Sequence, residues 1–437
     1  MIFTETSNTI VIGSGFTGLG LGLSGNVSIL EAKDSPGGIC SSYKKNGFKF
    51  EIGGGHWIFG NDREALELVE RFAKCNRYYR KSAVYFAGNL DETAKLMNTF
   101  VEYPIQNNLR QLGSETAKKC LIDIFAKSRD PDSSTMEEWM KHYFGDELCS
   151  IFFAPFHEKY TAGLYKEIAP QDPHKSPLSK EKIIEGAFEN PGAAVGYNIS
   201  FIYPQEGLDR LALAMAQRCR ITYQSKVVSI DLDSKIVHLQ NGDTRRYEKL
   251  VSTAPLTDLL RMTGLSKKVG KNDPYTSVLV VNIGAELADA VEARNGNHWI
   301  YVPDSSTGFH RVGYYSNVDP IFLPEKMRAH PDKFGSLYVE FAFANGAIPD
   351  RQRIEKLCQG TVEELKEWKF IKKELVVDPT IIDVAYTWSY PKSDWISRSI
   401  NELRSFDIIS AGRYGQWKFQ GILESLKEGL TLGSSLG

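Results

Sequence analysis

The chain has 437 residues, 42% of them hydrophobic and 24% charged. That is the balance of a folded globular chain and excludes disorder as its main state. Lysine and arginine number 52 against 54 aspartate and glutamate, a formal net charge of −2, so there is no basic excess to neutralise a nucleic-acid backbone. No run of 18 uninterrupted apolar residues marks a membrane-spanning helix.

Residues 9–12 (TIVI) predict a short buried strand. A glycine turn follows, Gly13-Ser14-Gly15-Phe16-Thr17-Gly18, and opens a helix. Val27-Ser28-Ile29-Leu30 predicts a second strand, ending at Glu31, 18 residues after Gly13. This is the dinucleotide-binding pattern. Gly13 permits the tight turn, Gly15 lets the backbone approach a pyrophosphate, and Gly18 lets the helix pack close to the strand. The free N–H groups of the first helical turn hold the anion. Glu31, followed by Ala32, would accept hydrogen bonds from ribose hydroxyls, and an acid there favours FAD or NAD over NADP. The first thirty residues lack a basic start and a cleavage site, so their apolar run is assigned to this fold and not to targeting.

Further along, Arg63 to Lys74 has a helical pattern, and residues 135–195 are mainly helical, with breaks near 170–177. Residues 222–253 are rich in short strands: Val227-Val228 opens one, and Asn241-Gly242 is a strong turn signal. SVLVVNIGA, HWIYVP, RVGYYS and SLYVEFAFA, between 275 and 345, alternate as strands of an antiparallel sheet. Residues 351–372 return to helix. At about 150 residues per domain the length suits about three portions. The six cysteines (Cys40, Cys75, Cys120, Cys149, Cys219, Cys358) are scattered without a CxxC pair. They read as reduced thiols of a cytoplasmic protein, with neither a disulfide frame nor a metal site.

A second glycine pair, Gly37-Gly38, follows the acid closely, and Gly53-Gly54-Gly55-His56 comes after it. With the strand at 250–255 and the turn Ala411-Gly412-Arg413, the chain resembles the large FAD family of amine oxidases and protoporphyrinogen oxidases. That resemblance implies an α/β fold with a discontinuous Rossmann-like FAD domain (1–62, 196–265, 402–437). A mainly helical insert (63–195) and an antiparallel sheet domain with a helix (266–401) would interrupt it. The implied FAD contacts are Gly13, Gly15, Phe16, Thr17, Gly18, Glu31, Ala32, Gly37, Gly38, Gly54, Gly55, His56, Val228, Gly412, Arg413 and Gln420. A helix over 421–431 would point its N-terminus at the flavin's pyrimidine edge.

Within that family the chain resembles the UDP-galactopyranose mutases, especially the eukaryotic type. The matching stretches are collinear: Gly54–Phe59, Val101–Asn108, Met136–Trp139, Phe152–Lys159, His298–Pro303, Phe309–Arg311 with Tyr315–Asn317, Tyr390-Pro391 and Gly412–Trp417. The resemblance implies covalent catalysis without net redox. Reduced flavin N5 displaces the nucleotide diphosphate from the sugar, and the ring reopens and recloses from pyranose to furanose. NAD(P)H is a candidate reductant. By family position Arg311 would clamp the diphosphate, Tyr390 would donate to it, and His56 would tune the flavin. Tyr103, Gln106, Asn107, Phe156 and His157 would lie along the uridine site, and Trp299 and Tyr301 along the sugar pocket. Outside that context Trp299, Tyr301, Trp139 and Phe152-Phe153 read as core aromatics, and Lys180-Glu181-Lys182 as a solvated helix face.

Three departures touch the substrate side. Phe419 replaces a tyrosine and Gln420 stands in for the polar segment that follows it. The second diphosphate arginine, after Pro155, has no equivalent except Lys175 or Lys180. His157 replaces the uridine-site asparagine. A hydride-removing oxidoreductase of the amine oxidase type is therefore the alternative, and a non-catalytic flavin-bearing protein a third.

Overall fold

The structure, a computed structural model, describes residues 8–126, 133–170, 179–189, 199–288 and 296–436. Strand Thr9–Ile12 lies at the centre of a five-stranded parallel sheet, between Ser28–Leu30 and Lys249–Ser252. Arg220–Thr222 and Ile408–Ser410 form its edges. Val11, Ile29 and Val251 are fully buried, as parallel strands covered on both faces require. The sheet draws strands from the N-terminal, middle and C-terminal parts of the sequence.

Two helices cover this sheet and meet face to face: Phe16–Ser24 and the C-terminal Ile422–Leu436. Their backbones nearly touch. A Cβ on Gly429 would stand 2.1 Å from the Thr17 carbonyl oxygen and 3.0 Å from Gly20 Cα. Ser24 Oγ donates to the Leu430 carbonyl at 2.8 Å.

The second sheet has seven strands in the order 371–387, 275–287, 334–344, 311–314, 299–301, 82–86, 99–102. Its side chains alternate with the strand period. Val278 and Val280 face the core shared with the helices Phe16–Ser24 and Ile422–Leu436, whereas Leu279, Val281 and Ile283 face the opposite core. Helix Arg351–Glu367 closes that second core with Val362 and Leu365. Helices Ser114–Ala126, Met136–Leu148 and Ala154–Tyr160 pack over Val84, Phe86, Val101 and Trp388. Thr135 and Glu138 form a reciprocal cap at the start of Met136–Leu148.

Two expectations about the inserts change. Residues 63–195 are not simply helical: Cys75–Tyr79, Ser82–Phe86 and Thr99–Glu102 are strands. The last two complete the seven-stranded sheet, so that sheet is not confined to 266–401. Nor is it wholly antiparallel, because Trp299–Tyr301 runs parallel to Ser82–Val84. The short apolar runs SAVYF and TFVE fill an open sheet edge, which only the tertiary structure provides. The expected boundary at 195/196, the breaks at 171–177 and Lys175 lie outside the described residues. Among the described residues no helix is long and apolar enough to cross a membrane.

The contact between the two helices yields a prediction. Gly429→Ala places a methyl group against the Thr17 carbonyl. The expected outcome is a loss of about 1–3 kcal/mol, the usual cost of overpacking. Urea denaturation followed by tryptophan fluorescence checks it; an unchanged or raised midpoint would show that the helices separate at no cost.

Candidate active site

A single cavity of about 680 Å³ runs from the first glycine turn to the helical insert. At its cofactor end Gly13 has φ +95, a left-handed conformation natural to glycine. Helix Phe16–Ser24 starts at Gly15 with no side-chain cap and no acid in its first turn. Its leading N–H groups are therefore available to an anion. A Cβ on Gly15 would meet nothing within 4 Å, which leaves a cradle there, whereas one on Gly18 would lie 2.0 Å from the Gly13 carbonyl oxygen. Glu31 is buried. One carboxylate oxygen accepts from Ser14 N at 2.8 Å and Ser14 Oγ at 2.6 Å, and the other from Lys33 N at 2.9 Å. With about four acceptor positions, the carboxylate keeps one for a ribose hydroxyl. This donor and acceptor set fits a dinucleotide.

Beyond it the cavity passes Gly37–Cys40 and reaches His56. His56 Nδ1 lies 3.2 Å from the Gly54 carbonyl. A carbonyl only accepts, so Nδ1 carries the proton and Nε2 presents a lone pair. Burial pulls the His56 pKa down to about 4, so the ring is neutral at physiological pH.

Across from His56, Arg311 on strand Arg311–Tyr314 sits in register with Glu340 on the neighbouring strand. Arg311 Nε donates to Glu340 Oε2 at 2.9 Å, and Nη2 reaches the same oxygen. Nη2 also donates to the Tyr386 hydroxyl at 2.9 Å. Burial opposes the Glu340 charge, but Arg311 and the neighbouring His310, whose Nε2 stands 3.4 Å away, together bring its pKa down to about 2. Desolvation lowers the His310 pKa as well.

Arg413 closes the flavin side. It donates to the Gln420 carbonyl at 3.0 Å and lies 4.6 Å over the Phe419 ring. Gln420 Nε2 bonds Glu428, which also accepts from Gly412 N. The far wall comes from a wide helical turn, Cys149–Phe153, leading into Ala154–Tyr160. It stacks Phe152, Phe156 and Tyr160 in series. His157 Nδ1 donates to the Phe153 carbonyl at 2.7 Å, and burial brings its pKa down to about 4.

The comparisons with known proteins agree with this geometry. The family model for flavin containing amine oxidoreductases matches residues 20–433. The chain belongs to that family. Among solved structures, a reduced UDP-galactopyranose mutase superposes with a TM-score of 0.86 at 23% identity, covering 99% of this chain and 94% of the other. A protein described as a protoporphyrinogen oxidase, from Exiguobacterium, gives 0.71 at 13% identity over 99% of both chains. Putrescine oxidase gives 0.60 at 13% identity over 98% of both. At these identities the likeness is one of fold.

FAD is thus the cofactor of this member of the family, and the glycine turn, Glu31 and the Gly412 turn are the residues that fit it. Of the residues expected from sequence, most line the cavity, and six do not. Gly18 packs behind Gly13, and Gly54 lies under Glu340 Oε1. Ala32 is exposed, and Val228 is 40% exposed on the outer face of strand Val227–Asp231. Asn107 is buried in a turn against the helix Lys180–Phe188, its backbone close to Gly186. Tyr390 lies past the end of strand Ile371–Thr387, and its ring meets Lys271. The tyrosine bonded to Arg311 is Tyr386, within that strand. Lys180 sits over Phe125 and does not line the cavity. Phe152, Phe153 and Trp139, expected as plain core, line the far wall.

Sequence reasoning missed Glu340, Tyr386, His310, Tyr160 and Trp388. Glu340 lies 29 residues from Arg311, and only the strand register brings the two together. Removing one partner of a buried pair leaves an uncompensated charge. Glu340→Gln is expected to destabilise the protein by about 3 kcal/mol at pH 7. Because the folded pKa is depressed, the wild-type advantage is complete above the ordinary glutamate value. It should shrink as pH falls from about 5 toward 2. Denaturation of both proteins across that range checks it; a difference independent of pH would exclude an ionic origin.

Proposed function

We propose that this flavoenzyme is a nucleotide-sugar mutase of the UDP-galactopyranose mutase type, interconverting pyranose and furanose forms. The observation that carries the reading is Arg311, bonded to Tyr386 and Glu340 and facing neutral His56 in one cavity that continues from the cofactor cradle. The fold likeness to a reduced mutase and the collinear motifs support it. Reduced FAD supplies the nucleophile for the anomeric carbon.

The chain's own groups do the rest. Arg311 and the Tyr386 hydroxyl orient the diphosphate and stabilise it as it leaves and returns. Neutral His56 offers Nε2 as an acceptor to the flavin and adds no positive charge there. The closely packed rings of Tyr103, Tyr301 and Phe156, tilted or edge-to-face, exclude water from the opened sugar.

Two observations favour the alternative, a hydride-removing oxidoreductase. Arg311 is already neutralised by Glu340, and the far wall is largely aromatic.

The deciding experiment reduces the protein with dithionite and incubates it with UDP-galactopyranose and UDP-galactofuranose. Interconversion is expected in the reduced state only. Absence of conversion, with oxygen consumed on an amine or tetrapyrrole, would transfer the protein to the oxidoreductase class. Arg311→Lys keeps the charge and loses the fork, and should weaken nucleotide-sugar binding about 10- to 100-fold with flavin content unchanged. Unaltered binding would remove Arg311 from the substrate site.

A further inference from the structure

Three arginines line the cavity: Arg80, Arg311 and Arg413. Two are committed. Arg311 is held by Glu340 and Tyr386. Arg413 donates Nη1 and Nη2 to the Gln420 and Ala385 carbonyls and is covered by Phe419, with only its Nε buried and unpartnered. Arg80 differs. It sits in the two-residue link between strands Cys75–Tyr79 and Ser82–Phe86, anchored by its backbone N–H to the Ile199 carbonyl at 2.8 Å. Its guanidinium carbon lies 5.7 Å from the centre of the Tyr103 ring. Its Nη2 is buried without a hydrogen-bond partner, and among the described residues no carboxylate pairs with it.

Arg80 is half-buried, and its one buried, unpartnered N–H is a donor that an arriving anion would satisfy. The position is suited to one. Tyr103 packs on Tyr301 with ring centres 4.7 Å apart, and Tyr301 is the strand-register neighbour of Arg311. Arg80 and Arg311 therefore flank the Tyr103–Tyr301 pair. Since Glu340 already balances Arg311 and Arg413 is held against the Gln420 and Ala385 carbonyls under Phe419, a doubly charged diphosphate beside the tyrosine pair needs a further cation, and Lys180 lies elsewhere.

We propose that Arg80 is the second anion contact of the cavity, gripping a phosphoryl group of the nucleotide ligand across the tyrosine pair from Arg311. This rests on the nucleotide-sugar reading above. Planar guanidinium donors suit phosphoryl oxygens, and the contact supplies the charge that the segment after Pro155 lacks.

The test uses the FAD-loaded protein, its Arg80→Ala and Arg80→Lys variants, and two probes, UDP and uridine, in calorimetric titrations. Arg80→Ala should weaken UDP about 10- to 100-fold while uridine affinity is unchanged, with Arg80→Lys in between. Equal UDP affinity in wild type and Arg80→Ala would overturn the proposal and leave the mutase reading intact. So would an equal loss of UDP and uridine, which marks a structural role. Unchanged UDP affinity with slower reduction by NADPH would overturn it too, assigning the residue to the reductant. If the wild-type protein binds neither probe, the nucleotide-sugar reading fails and takes this proposal with it.

Discussion

The close approach of two helix backbones is the constraint on which this molecule depends. The helix opened by Gly15 must pack against strand and turn at Gly18, and must also accept the C-terminal helix at Gly20 and Gly429. Each contact leaves no room for a side chain. Together they fix the phosphate turn relative to the Gly412–Gln420 segment, although almost 400 residues separate them. The cavity has a cofactor end because helices Phe16–Ser24 and Ile422–Leu436 are locked together there.

The opposite end of the cavity depends on a second constraint, the neutralisation of a buried arginine. Glu340 and Arg311 face each other across two strands and share one carboxylate oxygen. The pair holds the guanidinium beside Tyr386 and keeps it charged in a low-dielectric wall. It also reduces the net charge that Arg311 offers a ligand. The electrostatics of the cavity are thus set as much by Arg80 and Arg413 as by the arginine that the motifs single out.

Much of this was legible in the sequence where the signal is local. Glycine spacing, the acid at position 31 and the turn at Gly412 mark the cofactor end, because each meets a backbone requirement within a few residues. The substrate end was less legible. Tyr386 and Tyr390 are both tyrosines near one strand end, and a short motif does not say which one points inward. Val228 and Val227 differ only in strand phase, and the exposed one was chosen. The strands at 82–86 and 99–102 are too short to announce a sheet partner that lies some 200 residues away.

The sequence by itself determined the cofactor class and the order of the segments that hold it, because those depend on φ freedom, close approach and helix termini. Only the tertiary structure decided which side chains meet in the substrate cavity. Strand register joins Arg311 to Glu340, the antiparallel pairing of 82–86 with 99–102 brings the Arg80 link beside Tyr103, and a wide helical turn converts apparent core phenylalanines into a wall. Those contacts are set by packing between distant segments, which no local pattern encodes.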